Sequence, residues 1–127
     1  MSKLYEDVTA EYGKKPLRDM EIPTHIKENI SKELRPYQIE AIKNYLANNE
    51  TLKKNHLMFN MATGSGKTLV MASLMLDCYK RGYRNFIFFV SSASIVEKTK
   101  ANFCDSGSSK YLFANEINID GTRVGIK

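Results

Sequence analysis

No apolar run in this sequence is long. Runs such as Phe86–Val90 and Leu74–Leu76 fall far short of the roughly 20 residues needed to cross a bilayer, so no membrane-spanning helix and no membrane partner is expected. The N-terminus, Met1-Ser2-Lys3-Leu4-Tyr5-Glu6-Asp7, has acids where a signal peptide needs its apolar stretch, which predicts a cytoplasmic chain. Cysteine is scarce as well. Cys78 and Cys104 stand far apart, without the spacing of a disulfide framework or a metal site, so two buried or half-buried thiols are expected. Internal repeats and low-complexity segments are also missing.

What is present describes a folded domain. A length of 127 residues suits one domain, and 43% hydrophobic residues can supply its core. Charged residues at 26% and aromatics at 10% argue against disorder. The net charge of +5 permits a polyanionic partner. The basic residues are scattered (Lys14-Lys15-Arg18, Lys53-Lys54, Lys80-Arg81-Arg84, Lys98-Lys100), as on ordinary solvated faces, and charge alone decides nothing.

Residues 1–22 are polar and weakly patterned, broken by Gly13 and Pro16, and are expected to be an N-terminal extension to a domain over 23–127. Thr24 suits the N-cap of a short helix from His25 to about Lys32. Pro36 fits the first turn of a second helix, where its missing N–H costs nothing. Ile39, Ile42, Tyr45 and Leu46 then recur at helical spacing to about Ala47, and Asn48-Asn49 is expected to end the helix. His56–Asn60 is a compact apolar run before a glycine-rich turn, which predicts a strand. A helix should follow from Gly66 or Lys67 to Lys80, with Val70, Leu74, Met71 and Met75 on its apolar face and Gly82 as its C′ residue. Asn85–Val90 is apolar on both faces, as a strand inside a parallel sheet would be. Ser91–Ser94 forms a turn with ready N-caps, and a helix runs from about Ile95 to Phe103. Ile117–Ile126 alternates around Asp120-Gly121, the pattern of a hairpin. Strand, helix, strand, helix with short crossovers predicts an α/β fold with a parallel sheet.

The chemistry sits in Ala62-Thr63-Gly64-Ser65-Gly66-Lys67-Thr68, between the first expected strand and its helix. Gly64 and Gly66 allow turns that a Cβ would block, so that successive N–H groups face inward as an anion nest. The free N–H groups at the helix start add to that field. Lys67 can reach the β and γ phosphates of a nucleotide, Thr68 can ligate Mg²⁺, and Ser65 can touch a phosphate. Met61 departs from the strict pattern, which begins with glycine. A chance lysine after a flexible turn is the bland alternative, but strand, loop and helix all agree against it.

Hydrolysis needs more: an acid after another strand, to hold Mg²⁺ and position water. The acids after Lys67 are Asp77, Glu97, Asp105, Glu116 and Asp120, and none follows an expected strand of the parallel sheet. Asp77 and Glu97 lie inside helices and are expected to be surface charges. No complete catalytic set is therefore expected in this chain. Arg84 and Arg123 are expected to be solvated, not arginine fingers.

Three stretches together resemble the start of a superfamily 2 helicase or translocase core. Leu34-Arg35-Pro36-Tyr37-Gln38-x-x-Ala41-Ile42 resembles the glutamine motif that precedes the P-loop in that family, where the carboxamide reads the adenine edge. A donor and an acceptor on one side chain suit adenine N6 and N7. Met61–Thr68 resembles motif I, and Phe88–Thr99 stands in the place of motif Ia, which touches the nucleic-acid backbone; Ser91 and Ser92 are its candidate phosphate contacts. The family's frequent proline pair is missing from motif Ia. Within the superfamily, residues 22–126 look most similar to the ATP-dependent Res subunit of type III restriction enzymes, through Lys67–Ala72, Gly82–Phe86 and Glu97–Phe103.

The resemblance implies a P-loop RecA-like parallel sheet with flanking helices, incomplete here, with a C-terminal β-hairpin. It implies ATP and Mg²⁺ as cofactors, held by Gln38, Thr63, Gly64, Ser65, Gly66, Lys67 and Thr68, with Thr68 on the metal. Double-stranded DNA is the implied partner, with a methyltransferase/specificity subunit as a further candidate. The family's acid motif and second RecA-like domain are not in this sequence, so a fragment of a larger protein is expected. An RNA helicase fragment and a non-catalytic nucleotide-binding module stand as alternatives. A small kinase fits less well, because arginines are sparse after Lys67 and Gln38 would have no role.

Overall fold

The computed structural model describes residues 3–62, 64 and 66–126. The chain divides into two units, Met1–Ile22 with Leu34–Val70 and Pro23–Glu33 with Met71–Lys127.

In the first unit, the stretch read as an N-terminal extension forms two helices, α1 (Leu4–Tyr12) and α2 (Lys14–Asp19). Glu6 and Asp7 lie in the first turn of α1, where carboxylates suit the positive helix end. Gly13, at φ 100°, turns the chain between the two helices. Both pack on α4 (Pro36–Glu50), with Val8 and Ile42 fully buried. Lys54 Nζ meets Asp7 Oδ2 at 2.7 Å and Lys43 Nζ donates to the Arg18 carbonyl at 2.8 Å. α4 outruns its expected end at Ala47 because Asn48 is a buried helix residue and not a stop. Its side chain accepts from Lys54 N–H at 3.2 Å and donates to the Lys54 carbonyl at 3.0 Å, tying down the following turn.

In the second unit, α3 (Thr24–Lys27) is shorter than expected. The chain leaves it because Ile30 forms an antiparallel bridge with Phe113, and Ser31 N–H donates to the Leu112 carbonyl at 2.9 Å. α5 runs Lys67–Lys80, and the division between units falls inside it, after Val70. It ends as its sequence predicts. Gly82 at φ 109° lets its own N–H reach Tyr79 O and Tyr83 N–H reach Cys78 O, each at 3.0 Å, the paired bonds of a glycine C-cap. α6 (Ala93–Phe103) places Phe103 against Phe88 and Phe113, with ring centroids 4.8 and 6.0 Å apart. β1 (Ile117–Ile119) and β2 (Thr122–Val124) form the expected antiparallel hairpin. Asp120 and Gly121 both have positive φ, 52° and 77°, as a two-residue turn of type I′ requires. Ile117 and Ile119 face the core, and Asn118 faces out.

The expected parallel sheet is not formed among the described residues, whose only ladder is the hairpin. His56–Asn60 and Asn85–Val90 take part in no backbone ladder, yet their exposure alternates as a strand's does. Leu57 and Phe59 are half-buried around Met58 at 87% exposure; Phe86 and Phe88 are half-buried, while Ile87 and Phe89 stand 79% and 93% exposed. Both segments have a packed face and lack a hydrogen-bonded neighbour among the described residues. The result is a mixed helical structure with one small antiparallel sheet, consistent with an incomplete α/β domain.

Candidate functional site

The first unit brings two of the sequence's candidate regions together. Pro36 opens α4 and places Gln38 in its first turn, where the side chain folds back over the helix start. Gln38 Oε1 accepts from Arg35 N–H at 2.8 Å, and its Nε2 donates to the Gly66 carbonyl at 3.1 Å. The side chain is buried, with the residue only 3% exposed. The glutamine motif and the loop are therefore joined by a direct hydrogen bond.

Gly64 and Gly66 have φ of 79° and 81°, conformations that favour glycine. At Gly66 a second constraint applies, because an added Cβ would run into the Gln38 amide nitrogen. Lys67 begins α5 with an exposed side chain, and Thr68 beside it is half-buried. Thr63 and Ser65, also expected at the phosphates, lie outside the described residues. Glycines with left-handed φ leading into a helix whose first residues are lysine and threonine suit a polyphosphate and its Mg²⁺. A groove of about 750 Å³ in the same unit is lined by Tyr37, Asn44, Phe59 and Met61, among others, and reaches the residue just before the loop.

In the second unit, Ser91 and Ser92 are exposed ahead of α6, with Ser92 at its N-cap. The Ser92 hydroxyl makes no cap bond to the helix and lies 3.1 Å from the Ser94 hydroxyl.

Residues 31–124 match the family described as type III restriction enzyme, res subunit. The chain belongs to that family. It is similar to the probable type III restriction-modification enzyme HindVIP Res subunit of Haemophilus influenzae (strain ATCC 51907 / DSM 11121 / KW20 / Rd), with 39% identity over 116 residues. That alignment takes in 84% of this chain and 23% of the relative, so the chain spans about a quarter of the relative's length. No solved structure matches it. The stretch shared with the Res-subunit family includes Gln38, the glycine loop, Ser91 and Ser92, and both strands of the hairpin. Membership in the Res-subunit family implies a P-loop RecA-like fold.

One expectation about the acids fails in this Res-family chain. Asp77 is not a surface charge; it is 6% exposed, and its Oδ1 lies 2.8 Å from His25 Nε2. Asp77 Oδ2 is also buried and has no hydrogen-bond partner among the described residues. The spacing contains the signal: α5 buries Leu69, Val70, Ala72, Ser73, Leu76 and Asp77, one continuous helical stripe, while Met71 points partly outward. Nothing local signals His25, 52 positions away. Asn29 joins the same cluster, donating to the His25 and Asn118 carbonyls and accepting from Asn118 N–H, so that α3 is stitched to β1. Glu97 is exposed, paired with Lys100 at 3.5 Å. Arg84 stacks on the Tyr79 ring at 3.9 Å and donates to the Tyr79 carbonyl at 2.7 Å, a helix-end contact. Lys80 hydrogen-bonds Asp120 at 2.6 Å, and this bond together with the lysine's charge holds the Asp120 carboxyl below the usual aspartate range.

Proposed function

We propose that this chain is the ATP-binding portion of an ATP-dependent DNA translocase of a type III-like restriction system. One observation carries the reading: two glycines at φ 79° and 81° lead into a helix that opens with Lys67 and Thr68. Family membership supports it, since residues 31–124 match the Res-subunit family.

Backbone N–H groups of the loop and of the first turn of α5 would hold the phosphates of ATP. Lys67 would neutralise charge at the β and γ groups, and the Thr68 hydroxyl would take one place on Mg²⁺. When bound, Mg²⁺ supplies charge neutralisation across the phosphate oxygens. The groove lined by Tyr37 and Phe59 offers apolar surface for the base. Ser91 and Ser92 would meet a phosphate of duplex DNA through hydroxyl and N–H donors at the start of α6. A methyltransferase/specificity subunit would be the protein partner, as the restriction-modification name of the Haemophilus relative suggests.

Among the described residues, we assign no catalytic acid to the site. Asp77, the buried carboxylate after the loop, is committed to His25 in mid-helix. The 127-residue chain is therefore expected to bind ATP–Mg²⁺ with little or no turnover. Phosphate release measured with and without duplex DNA tests this. Sustained, DNA-stimulated release that Lys67→Ala abolishes would show that a complete ATPase is present and would overturn the reading as half a site.

A further inference from the structure

We propose that Asp120-Gly121, at the tip of the hairpin, is a site of spontaneous aspartate isomerisation, and that Lys80 restrains the reaction by holding the carboxylate.

No other aspartate or asparagine in the chain precedes a glycine. A side chain on the following residue would shield that residue's backbone nitrogen, and Gly121 has none. Nothing lies within 4 Å of the place where its Cβ would stand. The Gly121 N–H makes no hydrogen bond among the described residues. The Asp120 side chain is 66% exposed, so water reaches the same turn.

The reaction exchanges backbone bonds and needs no partner beyond water. The Gly121 nitrogen attacks Cγ of the protonated Asp120 carboxyl. The N–Cγ bond forms and the Cγ–OH bond breaks. The amide proton and the hydroxyl leave as water, closing a succinimide ring. Water then adds to one of the two ring carbonyls. Opening at Cγ restores aspartate. Opening at the α-carbonyl leaves the chain running through Cβ and Cγ, with the carboxylate on Cα and the mass unchanged.

Lys80 opposes the first step in two ways. Its Nζ donates to Asp120 Oδ1 at 2.6 Å, which restrains rotation of the carboxyl toward the Gly121 nitrogen. That hydrogen bond and the lysine's charge, with a weaker contribution from His25, also hold the carboxyl below its usual range. Less of the protonated, reactive form is then present at a given pH.

The consequence falls on one strand. A two-residue turn sets the hairpin register, and an extra backbone carbon between Asp120 and Gly121 does not fit it. β1 is anchored independently of the turn. The Asn29 side chain donates to the Asn118 carbonyl and accepts its N–H, each at 2.9 Å, and Ile117 and Ile119 are buried. β2 has two exposed residues and one half-buried, so β2 is the strand that the rearrangement releases.

The test is incubation of the full chain and of Lys80→Ala at mildly acidic pH in water enriched in heavy oxygen, with peptide mapping to separate the isoaspartyl form. The wild type should accumulate it slowly, carrying oxygen from the ring-opening water. Lys80→Ala should do so roughly two- to fivefold faster, the modest factor expected of an exposed ion pair. Lys80→Arg keeps the charge and should return the rate most of the way. No isoaspartate in any of the proteins overturns the site. Equal rates in wild type and Lys80→Ala, or a slower variant, overturn the role of Lys80.

Should Lys80→Ala fail to fold, the wild type alone tests the restraint. High salt shortens the screening length to a few ångströms and should raise its rate; a rate unmoved by salt contradicts the restraint. Hydrogen exchange on the isomerised wild type should quicken over residues 122–126 and stay unchanged over Ile117–Ile119. Loss of protection in both strands, or in neither, contradicts the release of β2.

Discussion

His25 Nε2 and Asp77 Oδ1 are 2.8 Å apart, and side-chain exposures of 13% and 8% leave the pair almost without solvent. The contact ties α3 to the middle of α5 across 52 positions of sequence. Removing the imidazole would leave Asp77 with neither oxygen hydrogen-bonded, a buried polar loss of about 1–3 kcal/mol. His25→Ala should lower unfolding stability by that amount in urea, with circular dichroism still showing helix before the transition. The His25→Leu/Asp77→Leu double variant should cost less than the two single changes added together. Strict additivity would show that the two side chains do not support each other.

A second prediction concerns pH. Lys80 holds the Asp120 carboxyl below its ordinary value through a 2.6 Å hydrogen bond and its charge. The folded-state value is lowered, so the contribution to stability is present above the unfolded aspartate pKa of about 3.9. It is lost as pH falls through the lower folded value. Carboxyl titration by NMR should find Asp120 below the usual range in the wild type and back within it in Lys80→Ala. A titration unmoved by the substitution would contradict the contact.

The alternation along Phe86–Phe89 supports a third. Phe88 stacks on Phe103 at 4.8 Å, while Phe89 is 93% exposed. Phe89→Ser should leave stability within about 0.5 kcal/mol and improve solubility by removing an exposed apolar ring. Phe88→Ala should cost about 1–3 kcal/mol, less than the ~3–5 kcal/mol of a fully buried ring. Equal costs at the two neighbours would mean that the segment does not present alternate faces.

Much of this was legible in local residues. Pro36 marks the start of α4, Gly-Lys-Thr and Gly82 bracket α5, and Asp120-Gly121 marks the hairpin turn, because each needs only its own backbone chemistry. Residues 4–19 were not legible, since α1 and α2 rest on packing against α4 and on ties such as Lys54 to Asp7. The burial of Asp77 was half legible: its helical stripe is visible in the spacing, its partner is not. At the site, the loop and Gln38 could each be singled out from type and position. Their hydrogen bond through Gly66 could not, because it depends on how two segments 28 residues apart meet. Leu57–Phe59 and Phe86–Val90 have the composition of buried strands, but a ladder needs a second strand, and none pairs with them among the described residues.

The most direct measurement is calorimetry of ATP–Mg²⁺ binding to the intact chain and to Lys67→Ala. The lysine side chain is exposed, so the variant should keep its fold. Losing a charge-assisted phosphate contact of about 1.5–3 kcal/mol should weaken binding roughly tenfold or more. Equal affinity in the two proteins would contradict the assignment of the loop as the phosphate site.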